Sequence, residues 1–124
     1  MSAKKERLLI LDDNEDILTM LKTMLDYNGY EVFIKKSADN IKNHIKEIAP
    51  KTILMDKLLS GIDGCDICKN IKEDTQIASI PIIMISALPN AKEVCMVAGA
   101  EYFISKPFEM KHLLQIVADA ISRN

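Results

Sequence analysis

Two adjacent carboxylates at Asp12 and Asp13, a third at Asp56, a hydroxyl at Ser86 and an ammonium at Lys106 each follow closely on a short apolar run. If those runs are neighbouring strands, the side chains gather at one end of a sheet. Three carboxylates in one crevice repel by about 4 kcal/mol for each close pair at an effective dielectric of roughly 20, so something positive must join them. A hard divalent cation with oxygen ligands answers this. Magnesium is the natural choice, because it takes a few carboxylates and fills its remaining octahedral positions with water or phosphate oxygens. Lys106 adds a second positive charge on the far side. Singly, each acid would read as a helix cap or a solvated loop residue. The combination argues for a site.

The elements that position these residues are legible from periodicity. Leu8 to Leu11, Thr52 to Met55 and Pro81 to Ile85 are continuous apolar runs that suit strands buried on both faces of a parallel sheet. Tyr30 to Ile34 and Tyr102 to Ile104 are shorter, mixed strands. Between them the period becomes helical, with Ile17, Leu21, Met24 and Leu25 on one face, Ile41, Ile45 and Ile48 on another, and Leu113, Leu114, Val117 and Ile121 near the C-terminus. Asn14 suits an N-cap and Gly29 a C-terminal stop. Weaker helices are expected over Cys65 to Glu73 and Ala91 to Ala98. Strand and helix thus alternate five times, which predicts a doubly wound (βα)5 α/β domain with a five-stranded parallel sheet and helices on both faces. Sites in such sheets lie outside the carboxyl ends of the strands, where Asp12, Asp13, Asp56, Ser86 and Lys106 fall.

At 124 residues the chain is expected to form one domain, residues 1–124. Its formal net charge of −2 presents no basic field for a polyanion, so direct nucleic-acid binding is not expected. The apolar runs are too short to cross a bilayer or to form a signal-peptide core, which predicts a cytoplasmic protein without membrane attachment. The odd set Cys65, Cys68 and Cys95 has no framework spacing. The first few residues look loose.

Taken in order, Leu9-Ile10-Leu11-Asp12-Asp13, Ile53-Leu54-Met55-Asp56 with Gly61-Ile62-Asp63-Gly64, Met84-Ile85-Ser86-Ala87 and Lys106-Pro107-Phe108 resemble the receiver domain of two-component response regulators. The resemblance covers essentially the whole chain and implies the flavodoxin-like strand order 2-1-3-4-5. By position it implies that Asp56 is the phosphoacceptor, that Asp13 and Asp56 bind Mg2+ directly, that Asp12 helps through water, and that the Leu58 carbonyl is a further ligand. Ser86 would hydrogen-bond the phosphoryl oxygens and Lys106 would pair with them, next to a cis Lys106-Pro107 bond. Phe103 would be the aromatic switch. The implied function is a phosphorelay switch: a sensor histidine kinase or phosphotransfer protein supplies the phosphoryl group, and Ser86 moves toward it. Phe103 then fills the freed space, and the face of the fourth helix, fifth strand and fifth helix changes its affinity for a downstream protein. Homodimerisation on phosphorylation is compatible with this scheme. Such a protein assists its own phosphotransfer and slow autodephosphorylation and is not an enzyme for an external substrate.

Two residues depart from the family pattern. Lys57 stands where an apolar residue is usual and Ser60 where proline is common, so the loop from Lys57 to Gly64 is expected to be less rigid. Alternation sends Lys57 away from the site as an exposed lysine. Lys57 is also the sequence hint for the alternative, a receiver-like protein that signals by contact without phosphorylation. Leu58 and Leu88, two residues beyond Asp56 and Ser86, offer no side chain to orient a water, which predicts a long-lived acyl phosphate. A haloacid dehalogenase-type phosphatase would need an Asp at Leu58. A flavin-binding protein would want hydroxyls and glycines where Asp12, Asp13 and Asn14 stand. Cys65 and Cys68 read as core or helix-surface thiols, His44 and His112 as solvated helix residues, and the seven methionines as core filler. No output domain fits after Asn124, which leaves direct partner binding or a piece of a longer regulator.

Overall fold

The computed structural model describes residues 4–123. Arg7–Leu11 forms β1, Glu15–Tyr27 α1, Glu31–Lys35 β2, Ile41–Ile48 α2 and Thr52–Asp56 β3. A ribbon of β4 (Leu58–Leu59) and β5 (Ile62–Asp63) then leads into α3 (Gly64–Glu73), β6 (Ile82–Ser86), α4 (Ala91–Val97), β7 (Tyr102–Ser105) and α5 (Met110–Ser122). Among the described residues the five longer strands make one parallel sheet in the order β2-β1-β3-β6-β7. That is the anticipated 2-1-3-4-5 order once the ribbon is set aside.

Alternation along the strands divides the core. Leu8, Ile10, Leu54, Ile83, Ile85 and Ile104 pack with α1 and α5, through Leu18, Leu21, Leu25, Leu113 and Val117. Leu9, Leu11, Ile53, Met55, Ile82 and Met84 pack on the other face with α2, α3 and α4, through Ile41, Ile45, Ile67, Cys68 and Cys95. Burying each such aliphatic side chain contributes about 1.5–3 kcal/mol. Thr52, the buried polar residue at the start of β3, is satisfied by donating its hydroxyl to Pro81 O at 2.8 Å.

Asn14 caps α1 as the sequence suggests, accepting from Ile17 N at 3.0 Å. Asn28 is the C-cap, and Gly29 follows at φ +93°, a left-handed conformation that suits glycine. β2 begins one residue later than its apolar run because the Tyr30 amide is spent on Leu25 O, closing α1. β6 starts after Pro81, which has no N–H to give a ladder. Within α1 the buried seam is Leu18, Leu21 and Leu25, while Ile17 and Met24 are only partly buried. The methionines divide between core and surface. Met55 and Met84 are core residues, whereas Met20 and Met96 are exposed, and Met1 lies outside the described residues with the N-terminal stretch expected to be loose. His44 is half-buried and His112 exposed. No helix among the described residues is long and apolar enough to cross a membrane.

Candidate functional site

The alternation that builds the core also aims the site. Paired residues Ile10 and Leu54, and Ile104 on β7, face the α1–α5 side, and two residues beyond them come Asp12, Asp56 and Lys106. These three therefore leave the sheet on one side and meet. Lys106 Nζ lies 2.5 Å from Asp56 Oδ2 and 3.9 Å from Asp12 Oδ2. Asp56 is 9% exposed and Asp12 only 3%. Together with Asp13, Leu58, Ser86 and Leu88 they line one cleft. The Lys106-Pro107 peptide bond is cis.

Three strand ends are finished in the same manner. Asp12 Oδ1 accepts from the Asn14 amide at 2.8 Å, Asp56 Oδ1 from the Leu58 amide at 2.8 Å, and Ser86 Oγ from the Leu88 amide at 3.0 Å. Each side chain thereby closes a turn over the two residues that follow it.

Burial raises the Asp12 carboxyl above the ordinary aspartate value; the Asn14 amide opposes this, the Asp56 charge adds to it, and Lys106 opposes it. Asp13 behaves differently. Its carboxylate is exposed, and Oδ2 accepts from both Ser60 Oγ at 2.9 Å and Ser60 N at 2.8 Å, which hold it below the ordinary value. Asp13 thus lines the cleft but is drawn toward the ribbon turn. Among the described residues, no group of three or more His, Cys, Asp or Glu side chains is set to enclose a metal ion as it stands. Asp12, Asp13 and Asp56 line the one cleft, Asp12 and Asp56 sharing the Lys106 ammonium and Asp13 bonded to Ser60. The donor chemistry nevertheless fits a hard divalent cation, because carboxylate oxygens supply the set and the Lys106 ammonium shows that two of them already share one positive charge.

Lys57 departs from the exposed lysine expected. It points away from the Asp56 carboxylate, but its side chain is only 13% exposed and its ammonium is 3.1 Å from Asp63 Oδ2. Within the segment from Lys57 to Gly64, backbone hydrogen bonds are made at several points. Lys57 N donates to Ile85 O, Gly64 N donates to Lys57 O, and Leu58 and Leu59 pair antiparallel with Asp63 and Ile62. Two-residue strands have no periodicity to announce them.

Ser86 and Phe103 share a sheet face, since Met84 pairs with Phe103 and Ser86 is two residues further along β6. Phe103 is half-buried and lines a surface cavity with Lys92 and His112. Cys65, Cys68 and Cys95 are buried and free, and Cys65 Sγ lies 3.6 Å from Cys95 Sγ. This contact joins residues 30 apart in sequence and left no trace in the spacing.

The response regulator receiver domain matches residues 8–118. The DNA-binding response regulator MtrA of Mycolicibacterium smegmatis is 27% identical over 126 aligned positions, covering 100% of this chain and 54% of that protein. The DNA-binding dual master transcriptional regulator RpaA of Synechocystis is 29% identical over 121 positions, covering 94% and 49%. The chain spans about half the length of the curated relatives it matches. Among solved structures, a Chloroflexus aurantiacus protein assigned as a response regulator superposes with a TM-score of 0.90 at 33% identity, over 96% of this chain and 99% of that one. The receiver domain of sensor histidine kinase PA1611 from Pseudomonas aeruginosa, described with magnesium coordinated in its active-site cleft, gives 0.86 at 26% identity, over 96% and 99%. Sheet order, cleft and matched segments agree, and this chain belongs to the response regulator receiver domain family.

Proposed function

We propose that this chain is a phosphoacceptor switch in which Asp56 takes a phosphoryl group from a histidine kinase or phosphotransfer protein, with Mg2+ as cofactor. The observation that carries this is the state of the Asp56 carboxylate: nearly buried at the carboxyl edge of the sheet, with one oxygen on Lys106 and the other on the Leu58 amide. Asp56 Oδ attacks phosphorus, the phosphorus–nitrogen bond of the donor histidine breaks, and its electron pair stays with the histidine nitrogen. Lys106 follows the charge from the carboxylate onto the phosphoryl oxygens, and Ser86 gives up the Leu88 amide to donate its hydroxyl to them. Asp12, Asp13 and Asp56 would hold the magnesium, with the Leu58 carbonyl as a further ligand. When bound, the ion supplies screening of the incoming anion. The movement of Ser86 leaves space on the face it shares with Phe103, which biases the surface of α4, β7 and α5 toward a different protein partner.

The groove beside Lys106, lined by Ile17, Met20, Ala87, Pro107, Phe108 and Met110, offers apolar surface for the phosphodonor next to the acceptor. No external substrate is turned over on this reading. The DNA-binding named for MtrA and RpaA falls, on this proposal, to the half of those proteins that this chain does not match. Intact-mass measurement after incubation with a small acyl phosphate and Mg2+ tests the proposal. Wild type should gain one phosphoryl adduct and Asp56→Asn none; no adduct on wild type would leave a receiver fold that signals by contact alone.

A further inference from the structure

Ser60 occupies the first central position of the two-residue turn between β4 and β5, at φ +48°, with Gly61 at +83°. Both positions of such a turn need positive φ, which asparagine and glycine accept far more readily than serine. What serine brings is a pair of donors. Its amide and its hydroxyl both reach a single oxygen of Asp13, 47 residues away. Asp12 and Asp56 are meanwhile bridged by the Lys106 ammonium. Each acid of the cleft therefore has a resident donor, and both of those on Asp13 belong to the ribbon turn.

We propose that Ser60 is a positioning residue that latches Asp13 toward the β4–β5 turn through Oδ2, so that Mg2+ competes with the Ser60 hydroxyl and amide for the Asp13 carboxylate. The inference rests on the reading of the cleft as a magnesium-assisted phosphoacceptor. It assigns Ser60 a function in setting the magnesium concentration at which the switch becomes competent. It also couples cation binding to the β4–β5 turn, because the turn amide that loses Asp13 must find water instead. The hydroxyl is the separable part of the latch, since the amide bond survives any side-chain change other than proline.

Calorimetric titration of Mg2+ into wild type, Ser60→Gly and Ser60→Ala tests this. Glycine relieves the positive φ and alanine keeps the Cβ, so a shared effect isolates the hydroxyl. Both variants should bind Mg2+ about tenfold more tightly, the worth of one hydrogen bond to a charged group. In wild type the Ser60 and Gly61 amide resonances should shift as Mg2+ is added, a response that a merely structural role for Ser60 would not produce. Unchanged or weaker Mg2+ binding in both variants would overturn the latch while leaving the phosphoacceptor reading in place. Failure of wild type itself to bind Mg2+ at millimolar concentration would overturn both.

Discussion

The Lys106 ammonium stands 2.5 Å from Asp56 Oδ2 and 3.9 Å from Asp12 Oδ2, so one lysine reaches both buried carboxylates. Removing it by Lys106→Met leaves two acids facing each other without their shared counter-charge and strips the proposed phosphoryl group of its protein cation. The rate of adduct formation, followed by intact mass at fixed acyl phosphate and Mg2+, should fall about 100-fold. An unchanged rate would remove Lys106 from the chemistry.

Leu58 and Leu88 flank the acceptor with side chains that are 55% and 43% exposed and carry no polar atom. Neither can orient a water on the acyl phosphate, so the wild-type adduct should outlast a time scale of seconds by a wide margin. Leu88→Gln should shorten its half-life about tenfold by supplying a donor and acceptor at that position. The decay of the adduct peak after removal of the phosphodonor measures both.

Gly64, the first residue of α3, is required by contact and not by dihedral angle. A Cβ built there would sit 2.5 Å from the Asp56 carbonyl oxygen and 3.1 Å from Lys57 Cα, both of them backbone. Gly64→Ala should cost about 1–3 kcal/mol in denaturant unfolding, the usual range for forced overpacking. Because one of the displaced atoms is the carbonyl oxygen of Asp56 itself, phosphorylation should slow as well.

The Lys57–Asp63 pair sets a pH signature. At Asp63, burial works against ionisation, but the Cys65 amide and the Lys57 ammonium outweigh it and the carboxyl lies below its ordinary value. Lys57 is held above its ordinary value, first by its hydrogen bond to Asp63. A lowered carboxyl contributes stability above the ordinary aspartate value and loses it as pH falls through the folded value. A raised lysine contributes below its ordinary value and loses it as pH rises through the folded one. The contribution is therefore level around neutrality. Asp63 is 42% exposed, and solvent screening limits the pair to about 0.5–1 kcal/mol. Lys57→Met should lower the urea midpoint at pH 7 and converge with wild type at pH values below the Asp63 titration.

Burial pushes the Cys65 thiol up to about 12 and the Cys68 thiol up to about 11, and raises Cys95 as well. Thiols this far from ionisation are poor nucleophiles. A chromogenic disulfide reagent at pH 8 should react with none of the three in the native protein and with all of them in denaturant.

The parts of this architecture that were legible in the sequence share one physical cause. β1, β3 and β6 are buried on both faces, so their residues form unbroken apolar runs, and each run ends where a functional side chain stands. The convergence of Asp12, Asp56 and Lys106 was legible too, because it extends strand alternation by two residues. The Ser60–Asp13 bond was not, since a side-chain contact across 47 residues and a ribbon of two-residue strands impose no period. Alternation gives direction only, so it does not show that the Lys57 side chain is 13% exposed and paired with Asp63 on the neighbouring ribbon strand. Helix faces drifted by one residue in α1, where Leu18 replaced Ile17 in the seam.

The turns that Asp12, Asp56 and Ser86 close over their own strand ends give these residues a second occupation, independent of any reaction. A lineage that abandoned phosphate chemistry would still have a folding motive to retain Asp, Asn or Ser at positions 12, 56 and 86, whereas the ion pairs shown for the Lys106 ammonium are with Asp12 and Asp56, and it loses that employment once they become Asn or Ser. Lysine at 106 is thus the more discriminating mark of a working member than the acids themselves.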